Sequence, residues 1–553
     1  MNITGCILTT LSIASVAVAA PTNAPPTLIK PEPARWSEGQ VLVGPSSLVT
    51  NVQGRLIQVF LQIDRNATAN KPIANGLGKA GDLLRQWAAT NTAAGHHGDV
   101  YDNHDGDHSN MSYGAFPQLT RVEFDESLKK IGMNNGLQHR LLYNAVTLGN
   151  SSTALVNGPF WRSQGRNALT LSAAGGHLYL QYRNNHLYFY PEHRDYDPGR
   201  NGADGKGYGD VLPANHPYII LSQGSSGSDR IFMDAVAATL AAFQPEVKRR
   251  LVEKGLLMPT LQMIFRTCNQ LVQKPEQYLT GIAHPPVFDG KQIDVEKMVQ
   301  LAHAITPEAL PPLAQLVVAE ENLGIVGRDY FDVADRERLL DTPCAVARVV
   351  KSFTYTRRMV LDARTSLDPQ DKPLAYHWVI LRGDPERIRI RPLDATRRRV
   401  ELEVDHHPRR PIAPGSDMES NRIDIGLFVH NGHHYSPPAF VSLLYLDNEK
   451  REYDAQHRIR AVDYTHPETR DNYVDPAIDA RKDWRDEFHY DDKGKLLDWT
   501  RRRGEQRQEF TAEGRLITRR GSDSAPQETR KVTYRIQAKP NTAPVLEQQT
   551  VEE

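Results

Sequence analysis

The sequence predicts a multidomain protein in which an α/β region with a mostly parallel sheet precedes two regions built from strands. Three observations support this fold class. The chain has 553 residues, which is more than one hydrophobic core accommodates. Short apolar strands alternate with helices from Val41 to Ala345, and strands with turns replace them from Val346 onward. We therefore expect an α/β domain over residues 41–345.

The N-terminal segment predicts export. An apolar run ends in small residues, and Ala17-Val18-Ala19 fits a signal-peptidase cleavage site. We expect a signal peptide over residues 1–19 and a secreted or periplasmic protein. The Pro-rich segment that follows predicts an extended linker over residues 20–40. No later apolar run reaches about 18 residues, so no transmembrane span is expected.

The net charge limits the classes of binding partner, and the cysteine content limits the possible disulfide bonds. The formal net charge of −1 argues against attraction to nucleic acid or to an anionic membrane. We therefore expect the partner to be an extracellular polymer or a cell-surface component. Beyond the signal peptide the chain keeps Cys268 and Cys344, which either pair in an oxidising compartment or remain separate thiols.

The elements of the α/β region follow from hydrophobic periodicity. The predicted strands are short apolar runs: RLIQVFLQI, QLTRVEF, NAVTLG, HLYFYP, YIILS and TLQMIF. The predicted helices are GKAGDLLRQWAATN, RIFMDAVAATLAAF and DVEKMVQLAHAI. The helix after Asp229 is apolar nearly all round, which predicts that it is buried. In the aromatic segment HLYLQYRNNHLYFY we expect core side chains rather than a sugar-stacking platform, and these are Tyr179, Tyr182, Tyr188, Phe189 and Tyr190.

The second region contains the segment VLDARTSLDPQDKPLAYHWVILRGD, Val360–Asp384. It resembles the PKD type of immunoglobulin-like domain, in which a strand ending in Leu-Asp leads through a Ser-x-Asp-Pro turn to a Tyr-x-Trp strand. The matching residues are Leu361, Asp362, Ser366, Asp368, Pro369, Leu374, Tyr376 and Trp378. Gln370-Asp371-Lys372 replaces the usual Asp-Gly-Asp turn. The resemblance implies a β-sandwich over residues 346–446 that spaces or docks something, as in secreted depolymerases and surface proteins.

Three later segments are similar to one another: YDAQHRIRAVDY, YDDKGKLLDWTR and FTAEGRLITRR. The last two resemble YD repeats, in which an aromatic-Asp pair, a turn Gly and a Leu build β-hairpins. Gly494 and Gly514 occupy the turn position, and His457 stands there in the first segment. We interpret residues 447–538 as a YD-repeat-like region, with a small antiparallel sheet as the preferred structure. A disordered tail is expected over residues 539–553.

Polar clusters follow several predicted strands. They are Asn150, Ser151, Ser152 and Thr153; Glu192, His193, Arg194 and Asp195; Ser225, Ser226, Ser228 and Asp229; and Arg266. If the sheet is parallel, these clusters lie along its carboxyl edge, where open α/β sheets bind ligands. Substrate contacts are accordingly assigned to Asn150, Ser151, Ser152, Arg194, Ser225, Ser228, Asp229 and Arg266.

The turn Gly224–Asp229 allows three interpretations. Ser226 sits between small residues at a strand-to-helix turn, as a nucleophile does, although Ser228 replaces the second Gly of the G-x-S-x-G pattern. A nucleophilic serine needs a base, for which His193 and His284 are candidates. The second interpretation is an anion held by N–H groups at the helix N-terminus. The third is a plain turn in which Ser228 caps the helix.

The cluster PEHRD supplies further catalytic candidates. Glu192, His193 and Asp195 together offer an acid, a base and a group that orients the base. Arg194 has the planar fork that holds a carboxylate, phosphate or sulfate. A surface ion-pair cluster is the alternative interpretation.

The segment His96–Asn110, HHGDVYDNHDGDHSN, contains eight His or Asp residues. Carboxylate and imidazole groups together bind Zn, Mn, Fe or Ca, so one hypothesis is a divalent metal held by His104, Asp105, Asp107 and His108. The spacing matches no tight metal motif, and a solvated polar loop is the alternative. The pattern identifies no other cofactor.

Two functions are compatible with these features. The first is a secreted hydrolase that acts on an extracellular polymer, with polysaccharide as one candidate, at the carboxyl edge of the α/β domain. The second is a non-enzymatic surface or periplasmic protein that binds a ligand or partner, since no complete catalytic motif is present. Convergence of Ser226, a histidine and a carboxylate would favour the hydrolase.

Overall fold

The computed structural model describes residues 31–50, 56–63, 71–106, 109–152, 174–191, 214–329, 331, 337–411, 419–446, 449–465, 482–522, 525–537 and 545–551. The expected signal peptide and part of the expected linker lie outside the described residues. So do several candidate site residues, namely Asp107, His108, Thr153, Glu192, His193, Arg194 and Asp195.

The α/β region contains most of the strands and all three of the helices that the periodicity predicted, with additions. Its strands within the described residues are β1 (Ala34–Ser37), β2 (Gln40–Val43), β3 (Leu48–Thr50), β4 (Ile57–Val59), β5 (Leu61–Gln62), β6 (Val100–Asn103), β7 (Thr120–Phe124), β8 (Leu141–Tyr143), β9 (Thr147–Asn150), β10 (His186–Pro191) and β11 (Ile219–Ser222). The helices are α1 (Gly78–Ala89), α2 (Glu126–Lys129), α3 (Ala174–Arg183), α4 (Arg230–Ala242), α5 (Pro245–Glu253), α6 (Leu257–Thr267) and α7 (Val295–Ala304). The three helices predicted from sequence are α1, α4 and α7, so those predictions are confirmed.

Eight of these strands form one sheet in the order β11-β10-β9-β6-β7-β2-β1-β5. All neighbours from β11 to β2 run parallel, whereas β1 is antiparallel to β2 and β5 is parallel to β1. The sheet is therefore mostly parallel, as predicted. Strands β3, β4 and β8 form a separate small sheet.

Two strand assignments in this region were wrong. TLQMIF, predicted as a strand, belongs to α6, where the buried residues Leu257, Leu261 and Ile264 recur at helical spacing. Conversely, the polar His96–Asn110 segment contains β6, a central strand of the sheet. Its apolar content is only Val100 and Tyr101, which is too short a run to reveal a strand by periodicity.

The expected linker is shorter than the predicted range 20–40. Strand β1 begins at Ala34, which is buried and pairs with Leu61 of β5. Strand β2 then pairs with β7. Backbone groups that enter a sheet in this way satisfy their hydrogen bonds there, so residues 34–40 belong to the α/β domain.

Helix α4 is buried nearly all round, as its composition predicted. Ten of its 13 residues are buried, and the remainder are Arg230, Ile231 and Asp234. Its many alanines allow neighbouring elements to approach closely. The helix thus holds the preceding turn, Gly224–Asp229, in a fixed position at the carboxyl edge of the sheet.

The second region begins at Val317 rather than at Val346. Its strands within the described residues are β12 (Val317–Glu321), β13 (Arg338–Thr342), β14 (Ala345–Val350), β15 (Thr356–Asp362), β16 (Ala375–Arg382), β17 (Ile388–Pro392), β18 (Arg399–Asp405), β19 (Arg410–Pro411), β20 (Glu419–Ser420), β21 (Ile423–His430) and β22 (Ala439–Tyr445). Because β12 pairs with β15 and β13 pairs with β14, both belong to this region. The predicted boundary after residue 345 was therefore too late.

Two sheets build this second region, in the orders β12-β15-β18-β17 and β13-β14-β22-β21-β16. Neighbouring strands are antiparallel except for the parallel pair β14 and β22. Leu361 and Leu402 of the first sheet share one buried core with Ile425 and Leu427 of the second. Both sheets therefore contribute side chains to the same hydrophobic core.

The same core continues into the α/β region. At the contact, the hydroxyl groups of Tyr218 and Thr342 lie 2.5 Å apart, and the Asn215 N–H donates to Ser442 Oγ at 3.0 Å. Tyr278 donates to a backbone carbonyl of the second region at 2.8 Å. The two regions thus form one packed unit, and the start of β11 is held from the second region.

The third region is antiparallel throughout its described strands. These are β23 (Lys450–Tyr453), β24 (Ile459–Asp463), β25 (Arg485–Tyr490), β26 (Leu496–Arg503), β27 (Gln506–Thr511), β28 (Leu516–Arg520), β29 (Pro526–Arg530), β30 (Val532–Gln537) and β31 (Val545–Thr550). Strands β23 to β29 form one sheet in chain order, and β30 pairs with β31. The expected antiparallel sheet is present. The expectation of a disordered tail was wrong for residues 545–550, because they form β31.

The three similar segments of this region form the same tight turn. The N–H groups of Asp454, Asp491 and Thr511 each donate, at 2.9 Å, to the carbonyl four residues later. The fourth turn residue has a positive φ in each case, and these residues are His457, Gly494 and Gly514. The predicted turn positions are therefore correct, and glycine suits two of them because positive φ costs it little.

Cys268 and Cys344 are both buried and free, so the alternative of separate thiols is correct. Burial raises the pKa of each thiol to about 12, which keeps both protonated at neutral pH. In the described part of the chain, no helix has the length and apolar character needed to cross a membrane.

Candidate functional site

The carboxyl ends of β6, β9 and β11 bring together the polar residues that follow them. Strands β6 and β9 are paired in register, with Asn103 opposite Asn150. On one face of the sheet, the Tyr101 hydroxyl donates to Asn150 Oδ1 at 2.7 Å and accepts the Met111 N–H at 3.2 Å. The hydrogen bond from Tyr101 therefore fixes the orientation of the Asn150 side-chain amide.

The amide of Asn150 links the end of β9 to the turn before α4. Asn150 Nδ2 donates to the Ser109 carbonyl at 2.9 Å and to Asp229 Oδ2 at 3.3 Å. Ser109 Oγ accepts the Gly227 N–H at 2.6 Å and also hydrogen-bonds to the Asp229 carboxyl. The structure therefore brings Asn150 and Asp229 into contact, and Ser109 connects them. The pocket predicted to be shared with Glu192–Asp195 stays a prediction, because those residues lie outside the described ones.

Asp229 is the most chemically distinctive member of this cluster. Burial raises its pKa to about 6, while hydrogen bonds from Ser109 and Asn150 oppose the shift and the charge of Asp105 adds to it. Its Oδ1 is buried and has no hydrogen-bond partner among the described residues. A carboxyl group of this kind exchanges a proton near neutral pH.

A second polar cluster lies on the opposite face of the sheet. Asp102 Oδ2 accepts from His104 Nε2 at 2.6 Å and from the Tyr188 hydroxyl at 2.9 Å. Gly149 makes room for this contact, because a Cβ there would lie 2.3 Å from Tyr188 Cε1. Tyr188 thus reaches Asp102 only because β9 carries a glycine at this position.

The metal hypothesis gains no support from these positions. His104 Nε2 is bound to Asp102, and Asp105 Oδ1 accepts the Ser152 N–H at 2.8 Å. Across the described ranges, no group of three or more His, Cys, Asp or Glu side chains is arranged to hold a metal ion. The other two proposed ligands, Asp107 and His108, lie outside those ranges.

The serines of the Gly224–Asp229 turn do not form a catalytic triad with any described histidine. Ser225 and Ser226 are exposed. His284, one candidate base, is buried, with Nε2 bonded to the Tyr278 carbonyl and the ring packed against Phe428. It is therefore not the base for Ser226, and the other candidate, His193, is outside the described residues.

Ser228 does not cap helix α4 as the third interpretation expected. Its hydroxyl lies 2.7 Å from the hydroxyl of Ser222 at the end of β11. The helix begins after Asp229, whose side chain makes no capping hydrogen bond. The Asp229 carboxyl group is directed toward Asn150 instead. Asp229 therefore hydrogen-bonds to Asn150 rather than capping the helix, although aspartate is well suited to capping.

The remaining assigned contacts divide into two groups. Ser151 Oγ donates to the His104 carbonyl at 3.3 Å, and Ser152 is joined to Asp105, so both are at the predicted edge. Arg266 is not, because its segment is helix α6 rather than a strand. Its side chain hydrogen-bonds to Gln262 and to the His216 carbonyl and makes no contact with Asn150, Ser109 or Asp229 among the described residues, so the structure does not place it in the cluster at the sheet edge.

Several residues of the two clusters were not singled out by the sequence as site residues. They are Tyr101, Ser109 and Tyr188. Tyr188 was assigned to the core, and it is buried as expected. Recognising β6 within the polar segment would have identified Tyr101 and Asp102 as neighbours on opposite faces, because side chains alternate along a strand.

Comparisons with known proteins add little. No family model matches the chain, and no curated protein matches it. One solved structure that matches is described as a nucleoside hydrolase-related hypothetical protein from Saccharophagus degradans that is associated with carbohydrate metabolism. The identity is 9%, the TM-score is 0.16, and the match covers 54% of this chain and 62% of that chain. A TM-score this low carries no argument about fold or function.

Proposed function

We propose that the protein is a secreted hydrolase that acts on an extracellular polymer, with polysaccharide as the first candidate, at the carboxyl edge of the parallel sheet. The observation that carries this proposal is the Asp229 carboxyl group. It is buried, its pKa is raised to about 6, and its Oδ1 is unpartnered among the described residues. Perturbed carboxyl groups at the carboxyl edge of an α/β sheet are characteristic of catalytic sites.

In this proposal Asp229 is the general acid and base. As a carboxylate, its Oδ1 takes the proton of the attacking water, and the same oxygen then returns a proton to the leaving oxygen of the substrate. Ser109 and Asn150 hold the carboxyl group by hydrogen bonds, so its free oxygen keeps one direction. A pKa near the working pH suits both steps.

The serine mechanism is the weaker form of the same proposal. Ser226 has the expected position at the strand-to-helix turn, but a serine hydroxyl needs a base within hydrogen-bond reach. The described histidines provide none, since His284 is bonded to the Tyr278 carbonyl and His104 to Asp102. A role for Glu192, His193, Arg194 or Asp195 remains part of the proposal, as does export.

The β regions support a polymer substrate rather than a small molecule. A PKD-type assignment for the second region and a YD-repeat-like assignment for the third remain proposals. They are motivated by the two mainly antiparallel sheets that share one core and by the three equivalent turns at Asp454, Asp491 and Thr511. Both module types are found in proteins that work outside the cell.

The second candidate is a non-enzymatic binding protein of the surface or periplasm. It is favoured by one observation, the lack of a base for Ser226 among the described residues. In that case the Asn150–Asp229 cluster would bind a ligand without turning it over.

The test is turnover on a panel of polysaccharides, glycosides and esters by Asp229→Asn. We expect kcat to fall about 100-fold or more, because the amide cannot exchange a proton. Asp234→Asn is the matched control: Asp234 also has a pKa raised by burial to about 6, on the same helix, but it belongs to neither cluster. Its activity should be unchanged.

Each result separates the candidates. Full activity in Asp229→Asn would contradict the carboxyl mechanism, and loss of activity in Ser226→Ala would then support the serine mechanism. Saturable binding of a polymer by the wild-type protein, without release of any product, would support the binding protein.

A further inference from the structure

Arg266 lies at the junction of the α/β region and the second region, between Phe288 and Phe440. Only 1% of the residue is exposed. The guanidinium carbon lies 5.0 Å from the ring centre of Phe288 and 5.4 Å from that of Phe440 on β22. A full positive charge is therefore enclosed between two aromatic walls.

Among the described residues, the guanidinium group of Arg266 has no negatively charged partner. Its Nε donates to Gln262 Oε1 at 3.1 Å and its Nη2 to the His216 carbonyl at 3.4 Å, and both acceptors are neutral. Its Nη1 is buried without an acceptor. In the described ranges no Asp or Glu forms an ion pair with Arg266, in contrast to the other large buried arginines Arg348, Arg357, Arg422 and Arg501.

The neighbours of Arg266 offer further unused donors. Gln262 Nε2 and the Tyr182 hydroxyl are buried and have no partner among the described residues. The ring of Tyr182 packs edge-on against that of Tyr218, and Tyr218 in turn contacts His216, whose carbonyl accepts from Arg266. The nearby imidazoles supply no negative charge, and they are neutral at pH 7 because burial and Arg266 lower the pKa of His216 and His284.

The charge persists despite burial. Desolvation lowers the pKa of Arg266 to about 10, which still leaves the group protonated at neutral pH. An uncompensated buried charge is strongly destabilising, and contact with two aromatic rings offsets only part of that cost. Water would satisfy the donors without neutralising the charge, whereas an anion does both.

We propose that Arg266, Gln262 and Tyr182 form a buried binding site for a small monovalent anion, with chloride as the physiological occupant. The single positive charge and the aromatic walls favour a singly charged, weakly hydrated ion over phosphate or sulfate. The anion accepts from Nη1 of Arg266, from Nε2 of Gln262 and from the Tyr182 hydroxyl. It thereby stabilises the junction between the two regions.

The first test is thermal unfolding of the full chain in sodium chloride and in sodium gluconate at equal ionic strength. Binding to the native state alone raises the melting temperature with ligand concentration, so we expect a rise of a few degrees in chloride that saturates. Arg266→Met should melt at the same temperature in both salts. Arg501→Met is the matched control: it removes a buried arginine that has a carboxylate partner, so the chloride effect should remain.

The second test locates the ion and does not require a variant to fold. Crystals of the wild-type protein soaked in sodium bromide should show an anomalous peak at hydrogen-bond distance from Arg266 Nη1. Equal melting in chloride and gluconate would overturn the proposal, as would a chloride effect retained in Arg266→Met or the absence of the bromide peak.

Discussion

Two buried charged clusters, one at the carboxyl edge of the parallel sheet and one in the third region, are satisfied to different degrees. In the third region, Arg501 donates from Nε and Nη2 to Asp486, both at 2.9 Å, and from Nη1 to the Tyr534 hydroxyl at 2.8 Å. Trp484 donates to the same carboxylate and its ring lies 4.0 Å from the guanidinium carbon. At the carboxyl edge, Asp229 keeps an unpartnered oxygen among the described residues.

The difference separates a structural cluster from a functional candidate. Arg501 and Asp486 neutralise each other and use nearly all of their hydrogen-bonding capacity, so the pair fixes the packing of the aromatic core around it. Among the described residues, no positively charged group lies within hydrogen-bond distance of Asp229, and burial destabilises its charged form. Incomplete satisfaction of a buried group is costly, which makes it informative when it occurs at the expected edge of a parallel sheet.

The largest expected effect is on the satisfied cluster. Arg501→Met leaves the Asp486 carboxylate buried without its partner, so we expect the third region to lose about 3–5 kcal/mol of unfolding free energy. Arg502→Met is the control, because Arg502 is largely exposed and its bridge to Glu487 is a surface pair. Denaturant unfolding followed by tryptophan fluorescence measures both. Equal, small losses in the two variants would show that the pair does not stabilise the region.

The next effect concerns the pH dependence of Asp229. Because its folded pKa is raised from 3.8 to about 6, the native state retains a proton that the unfolded state releases between these values. Stability from this group is fully present below about pH 4 and is lost as the pH rises through about 6. The total is at most about 3 kcal/mol, from roughly two pKa units.

Asp229→Asn should remove the loss of folding stability that accompanies ionisation of Asp229. Its stability relative to wild type should increase from pH 4 to pH 7, as measured by urea unfolding at a series of pH values. A constant difference across this range would mean that the carboxyl group of Asp229 titrates normally.

The smallest expected effect tests the close packing of Gly149 against Tyr188, which lets Tyr188 reach Asp102. In Gly149→Ala the new Cβ would lie 2.3 Å from Tyr188 Cε1 and 2.8 Å from the Asp102 carbonyl oxygen. The ring must move, and overpacking of this kind costs about 1–3 kcal/mol. Gly176→Ala on α3 is the control, since its Cβ would meet nothing within 4 Å. Thermal melts should show a loss only for Gly149→Ala, and equal melts would contradict the proposed close contact.

Much of the architecture could be predicted from the chain because it is encoded locally. Helices α1, α4 and α7 follow from apolar residues at helical spacing. The three equivalent turns follow from a polar residue at the first position and a glycine or histidine at the fourth. TLQMIF failed because a short, continuously apolar run is compatible with both strand and helix, and its neighbours in α6 decided the outcome.

The sequence by itself determined helices α1, α4 and α7, most strands of the α/β region, the mostly parallel character of the main sheet and the placing of Asn150 and Asp229 at one edge of it. Parallel strands end at one edge, so residues that follow them must gather there. Only the tertiary structure decided which strands are neighbours and which polar side chains form hydrogen bonds with one another. It placed β6 between β9 and β7, it directed Asp229 to Ser109 and Asn150 instead of to the helix N-terminus, and it enclosed Arg266 between the α/β and second regions. These outcomes depend on contacts between residues far apart in the chain, and no local pattern encodes which of several polar groups is left without a partner.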